Sequence, residues 1–240
     1  DCPSSDTLPN GGKGAPVGST GMTWSGFRPS DDACRYGYLI PANLMAVAAL
    51  QAAERMAREH YQDAPLANEC HALASDIDEG VRRFGLEQHP LYGEIYRYET
   101  DGLGHSLLMD DANAPSLLSL PYLGCCKPDD PLYLRTRRFV LSKDNPFYHE
   151  GLHARGVGSP HTPDGYVWHI GILMQALTST DREEILGCLT MLSRTHDGTF
   201  RMHEAFDPND PSRYTRSWFA WANTLLASLL IKLKEDAFFA

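Results

Sequence analysis

The stretch WFAWANTLLASLLI, residues 218–231, carries Trp218, Trp221, Leu225 and Leu229 at helical spacing, with Phe219, Leu226 and Leu230 on the remaining faces. A helix apolar nearly all round needs neighbours on every side, so it predicts a central helix in a helix-rich fold. Asn223, Thr224 and Ser228 interrupt the run, which also falls short of the roughly 20 apolar residues that cross a bilayer. From Pro41, a favoured first helical residue, PANLMAVAALQAAERMAREHY puts Leu44, Val47, Ala48 and Met56 on one side and its charges in the second half. A second helix is expected over about 66–84, ended by Gly85, and further helices near 115–123, 130–142, 165–178, 181–195 and 215–235. Thr180 and Glu183 have capping-box spacing ahead of Ile185, Leu186, Leu189 and Leu192. EIYRYE at 94–99 alternates like one short strand, and no repeat of fixed period is present. Residues 1–37, with Gly11, Gly12, Gly14, Gly18, Gly21 and Gly26, lack helical periodicity and read as a loop.

With 21 Lys+Arg against 31 Asp+Glu the 240-residue chain has a net charge of −10, which argues against nucleic acid or an anionic membrane as its partner. Aromatics at 10% and charged residues at only 22% exclude a disordered chain. Six cysteines (Cys2, Cys34, Cys70, Cys125, Cys126 and Cys188) are too sparse for a disulfide-stapled domain and form no C-x-x-C pair, so most are expected to be core thiols. Asp1, Cys2, Pro3, Ser4 and Ser5 show neither the basic start nor the apolar run of a signal peptide. The chain does not begin with Met, and its localisation stays open.

Four segments carry residues suited to chemistry. In TWSGFRPSDDACRYGY, residues 23–38, Trp24, Phe27, Arg28, Tyr36 and Tyr38 surround Asp31 and Asp32. Pyranose rings stack their C–H faces on aromatics and hydrogen-bond their hydroxyls to acids and Arg, and an Asp near apolar rings can retain a proton. The plainer alternative is a solvated N-cap beside core aromatics. In RMHEAFDPNDPSRYTRSWFAWAN, residues 201–223, Glu204 and Asp207 lie in a loop between two helices. In LMDDANAPSLLSLPYLG, Asp110, Asp111 and Asn113 precede an expected helix, where N-capping is again the alternative. In GVGSPHTPDGYVWHIG, His161 lies in a Gly/Pro-rich loop and His169 after it. Just upstream, HEGLH (His149 to His153) matches the zinc-protease pattern H-E-x-x-H, but that pattern needs a helix, which Gly151, Gly156, Gly158 and Pro160 disfavour.

Together TWSGFRPSDDACRYGYLIPAN, MDDANAPSLLSLPYLG, GSPHTPDG, LTSTDREE, DGTFRMHEAFDP and TRSWFAWAN resemble, in order and over nearly the whole chain, the signatures of glycoside hydrolase family 125, the exo-α-1,6-mannosidases. The resemblance implies an all-α fold, an (α/α)6 barrel, and removal of non-reducing-end mannose from α-1,6-linked mannosides or glycans with inversion and without metal or other cofactor. It carries the general acid onto Asp31, with Asp32 as the fallback, and the general base onto Glu204. Mannose contacts fall on Trp24, Arg28, Asp32, Asp111, Asn113, His161 and Arg216. Residues 1–240 are then one catalytic domain with 1–37 as an active-site loop. An (α/α)6 barrel needs more helices than the seven segments above, so the chain corresponds to the C-terminal part of the family's chain, and an N-terminal chain or fragment is expected to complete the barrel. Two rival functions are a carbohydrate-binding fragment that does not cleave and a zinc protease through HEGLH.

Overall fold

The computed structural model describes residues 6–238, so Cys2 and the N-terminal residues read above for a leader lie outside the described residues. The chain divides into two compact units, one comprising residues up to Met109 together with Pro115–Arg138, the other Asp110–Ala114 together with Phe139 onward.

The first unit opens on α1 (Pro9–Gly12), a single turn in which Asn10 and Gly11 take left-handed backbone angles. β1 (Tyr38–Leu39) leads directly into α2 (Ile40–Glu59), which has Pro41 in its first turn as the sequence predicts. α3 (Ala64–Phe84) starts where the Asp63 side chain accepts the Leu66 N–H at 3.0 Å, and it stops at Gly85. Val47 of α2 packs on Ala74 and Ile77 of α3 to form the seam between the two helices. β2 (Leu86–His89) and β3 (Gly93–Tyr96) make a hairpin. β4 (Glu99–Thr100) lies between β1 and β5 (Ser106–Leu107). The segment EIYRYE is therefore two strands in two sheets, broken at Arg97 and Tyr98. α4 (Pro131–Val140) starts after Asp130, whose carboxylate accepts from the Leu132 and Tyr133 N–H groups at 2.9 Å each.

In the second unit, β6 (Tyr148–Glu150) and β7 (Arg155–Val157) form a hairpin. β8 (Val167–Trp168), β9 (Ala205–Asp207) and β10 (Asp210–Thr215) form a three-stranded antiparallel sheet. α5 (His169–Leu177) buries every residue except Gln175 and packs against α6 (Arg182–Arg194) and α7 (Ala220–Glu235).

The structure corrects several expectations. The fold is not all-α: helix makes up 40% and strand 14%, and the strands of the described residues form four small antiparallel sheets. Most strands of two to six residues are too short to show a period of two above the apolar background, and only the stretch that holds β3 shows one. The central helix of the second unit is α5, not α7. α7 turns Ala222, Leu229 and Leu233 inward and leaves Trp221 57% and Ile231 58% exposed. Residues 115–123 form turns rather than a helix. Ser116 and Ser119 bond each other's backbone there (Ser116 N to Ser119 Oγ 2.8 Å, Ser119 Oγ to Ser116 O 2.9 Å), a local competitor of helical bonding, and Pro115 and Pro121 disfavour regular continuation. The cap of α6 is Asp181, whose side chain accepts the Glu183 N–H at 2.9 Å, in place of Thr180. No helix among the described residues is long and apolar enough to cross a membrane.

Candidate active site

Residues 23–38 of the first unit form a tight loop. Phe27 bridges Ala33, the Arg28 N–H reaches Asp32 O at 2.8 Å and the Asp31 N–H reaches Arg28 O at 3.0 Å, which leaves Asp31 exposed in a closed turn. Asp31 has φ 71°, in the left-handed region that non-glycine residues avoid. Such a residue costs about 1–3 kcal/mol and persists only where its surroundings hold it. The holding group is Glu99 at the start of β4. Its fully buried carboxylate accepts from Arg28 Nε at 2.6 Å and from the Arg35 and Tyr36 N–H groups at 2.8 and 2.9 Å. Burial, reinforced by Glu99, pushes the Cys34 thiol up to about 12, so it stays protonated and donates to the same carboxylate. The Arg28 guanidinium also sits 5.6 Å over the Tyr98 ring. Asp32, next to Asp31, is only 3% exposed.

Trp24 is 46% exposed, and the glycines around it explain why the segment is glycine-rich. A Cβ on Gly37 would stand 2.3 Å from Trp24 Nε1, and one on Gly14 2.8 Å from Cζ2, so only hydrogen fits against the indole. Asn43, in the first turn of α2, fixes the preceding residue by accepting the Thr23 N–H at 2.8 Å and donating Nδ2 to Thr23 O at 3.1 Å. The result is an exposed aromatic ring on the same loop as the two acids, with its neighbour Thr23 held by Asn43.

The second unit carries two further groups. Asp111 and Asn113 are buried, and Asp111 Oδ1 accepts from the Asn113 N–H at 3.0 Å and Nδ2 at 2.9 Å while Oδ2 accepts from Ser159 Oγ at 3.0 Å. Ser159 Oγ in turn accepts the His161 N–H at 3.2 Å, so the MDDAN and SPH motifs meet. No helix follows Asp111 for it to cap. Glu204 is buried at the entry to β9, and its Oε1 lies 3.2 Å from Nε of Arg216 at the exit of β10. Arg216 has φ 40°, so a second strained non-glycine residue stands beside a candidate catalytic carboxyl, that of Glu204.

The backbone before Glu204 is fixed by two side chains, those of Asn223 and His169. Met202 N–H donates to Asn223 Oδ1 at 3.1 Å, and Asn223 Nδ2 returns a bond to Met202 O at 2.8 Å. His169 Nδ1 lies 2.9 Å from the His203 backbone nitrogen and 3.1 Å from its carbonyl oxygen, and His169 Nε2 lies 3.0 Å from Thr195 Oγ1. Burial pushes His169 down to about 3, which keeps its imidazole neutral.

The structure thus groups Trp24, Arg28, Asp31 and Asp32 in one unit, and in the other Asp111 and Asn113 with the loop of His161, and Glu204 with Arg216. Pattern reading missed Glu99, Asn43, Ser159 and His203, each of which acts on residues distant in sequence. HEGLH lies in the β6–β7 hairpin, with His149 in a strand and His153 in the turn, so the two histidines share no helix face. Burial pulls the His149 imidazole below its usual value, and the ring lies close to Gly158.

The family described as metal-independent alpha-mannosidase (GH125) matches residues 1–231. The chain belongs to the GH125 family. It is 43% identical over 232 residues to the meiotically up-regulated gene 157 protein of Schizosaccharomyces pombe, a match that takes in 96% of this chain and 45% of that protein. A solved structure of a metal-independent α-mannosidase from Streptococcus pneumoniae, a non-productive substrate complex with α-1,6-mannobiose, superposes with TM-score 0.93 at 41% identity. That match covers 96% of this chain and 55% of the solved one. This GH125 chain therefore spans about half the length of the relatives it matches. Its motif blocks from TWSGFRPSDDAC to DGTFRMHEAFDP lie within the matched residues.

Proposed function

We propose that this chain carries the catalytic groups of an inverting exo-α-1,6-mannosidase. The observation that carries the reading is the close likeness, in sequence and in backbone, to an α-mannosidase solved with α-1,6-mannobiose. Trp24 offers a ring face to a pyranose, and Arg28, Asp32, Asp111, Asn113, His161 and Arg216 hold the non-reducing-end mannose. Asp31 gives its proton to the glycosidic oxygen as the bond from that oxygen to the anomeric carbon breaks. Glu204 takes a proton from the water whose oxygen bonds to that carbon from the opposite face. The product is β-mannose plus the shortened glycan, and the scheme has no step for a metal. A strained, solvent-facing Asp31 on a rigid loop suits a group that must meet a substrate oxygen. Arg216 stands with its Nε 3.2 Å from Oε1 of Glu204, within reach of the group given the role of base.

Asp31→Asn and Glu204→Gln should each lower turnover by about 10²–10⁴-fold while mannoside binding stays within a few-fold, since each removes a proton-transfer role and little shape. Aryl mannosides with good leaving groups should partly rescue Asp31→Asn and should not rescue Glu204→Gln. If Asp32→Asn shows the rescue pattern in place of Asp31→Asn, the acid is Asp32. Binding of α-1,6-mannobiose without turnover by the unsubstituted protein would replace the enzyme with a carbohydrate-binding module. We propose as well that polypeptide from the half of the relatives' length that this chain does not span covers the exposed face of α7.

A further inference from the structure

In the sheet of the second unit, Ala205 pairs with Thr215 and Phe206 with Tyr214, so the same register sets Glu204 opposite Arg216 and His203 opposite Ser217. The backbone ladder ends at Thr215, because φ 40° at Arg216 turns the chain out of extended geometry. Side chains take over the next two rungs. One is the Glu204–Arg216 pair at 3.2 Å, and the other joins His203 Nδ1 to the Ser217 carbonyl oxygen at 2.8 Å. A carbonyl only accepts, so Nδ1 carries the proton, and in the neutral ring Nε2 is a bare acceptor. That Nε2 is buried and has no hydrogen-bond partner among the described residues, so the ring's directional work is done at Nδ1. The ring itself is wedged against Tyr214 of β10, centroids 3.8 Å apart and planes 5° apart, and its residue is bolted by its N–H to His169 at the start of α5.

We propose that His203 is a positioning residue for Glu204: its Nδ1–H bond to Ser217 closes the open end of the β9–β10 hairpin one step beyond the Glu204–Arg216 pair and fixes where both side chains stand. Without that rung, the strained Arg216 backbone is free to relax toward ordinary angles and to carry its guanidinium away from Glu204. The structural claim concerns the ion pair alone; its effect on turnover rests on Glu204 being the general base.

The chemistry of the two amide side chains supplies the test. Asn places an N–H donor where Nδ1 stands, whereas Gln places it where Nε2 stands, and both lose the stack on Tyr214 equally. Arg216 Nε–H is followed by ¹H–¹⁵N NMR in the whole 240-residue chain, with Glu204→Ala giving the signal of an unpaired guanidinium. His203→Asn should keep the paired Arg216 signal and a kcat on α-1,6-mannobiose within about threefold of the unsubstituted protein. His203→Gln should show the unpaired signal and lose about tenfold or more in kcat with KM nearly unchanged, as misplacement of a catalytic group predicts. If Asn and Gln fall together in signal and in rate, or if the paired signal survives in His203→Gln, the proposal is overturned, since a ring needed only for packing affects both variants alike. If the Arg216 signal follows this pattern while Glu204→Gln keeps full turnover, the tether stands and the assignment of Glu204 as the base fails.

Discussion

A carboxylate with no solvent exposure must receive its hydrogen bonds from the protein, and Glu99 receives them from Arg28, Arg35 and Tyr36, all in the loop that presents Asp31 and Asp32. Removing one partner of such a buried pair costs about 3–5 kcal/mol. Glu99→Ala should therefore lower the melting temperature strongly and release the loop, with a change in Trp24 fluorescence as the local readout. Asp31, Asp32 and Trp24 stand out as candidates in the sequence because acids and aromatics lie side by side there. Glu99 does not, because its donors lie more than sixty positions away and only the folded chain brings them to it. His169 and His203 were illegible as a pair for the same reason. His169 also makes stability depend on pH. Its folded value of about 3 lies below the ordinary 6.5, so the unfolded chain takes up the proton first as pH falls. The contribution of His169 is fully present above pH 6.5 and is lost on descent toward pH 3, amounting to about 2 kcal/mol by pH 5. His149 and His203, also lowered by burial, act in the same direction. Denaturant titrations at pH 7.5 and 5.0 should show this loss, and a His169 variant that still folds should show a smaller one.

Among the elements, long helices followed their apolar periodicity closely, and their caps and strands did not. α2 and α3 begin and end within two residues of the expected positions, since Pro41, Asp63 and Gly85 act through the local backbone. At α6 the spacing of Thr180 and Glu183 suggests a capping box, yet Asp181 makes the bond. Asp181→Ala should cost about 0.5–2 kcal/mol, typical of a lost N-cap, whereas Thr180→Ala should stay within about 0.5 kcal/mol. Chemical denaturation of the two variants distinguishes them directly. Apart from the stretch that holds β3, the strands among the described residues show no pattern of their own, because each is fixed by a partner strand. In the β6–β7 hairpin, HEGLH is folded as a strand and a turn, in line with the glycines that disfavour a helix there.

For the whole chain, the expected all-α architecture gave way to helices joined by four small sheets, while the family read from six ordered motif blocks holds over residues 1–231. The all-round apolar character of 218–231 was read correctly as a sequence property, but α7 buries only one side of itself within its unit. Exposed apolar stripes of this kind drive association. The 240-residue chain on its own should bind hydrophobic dyes and self-associate, and Trp221→Lys with Ile231→Lys should reduce both while leaving the melting temperature nearly unchanged. Light scattering with and without the substitutions checks this, and a dye-silent monomer before substitution would contradict it. The two candidate carboxyls, Asp31 and Glu204, are 173 positions apart and fall in different units, so their partnership is a chemical claim rather than a pattern in sequence. It is tested most directly by following α-1,6-mannobiose hydrolysis with ¹H NMR fast enough to precede mutarotation. Direct attack by a water that Glu204 activates predicts β-mannose as the first sugar formed, with the α anomer growing in later. α-Mannose appearing first, or no mannose at all, would contradict it.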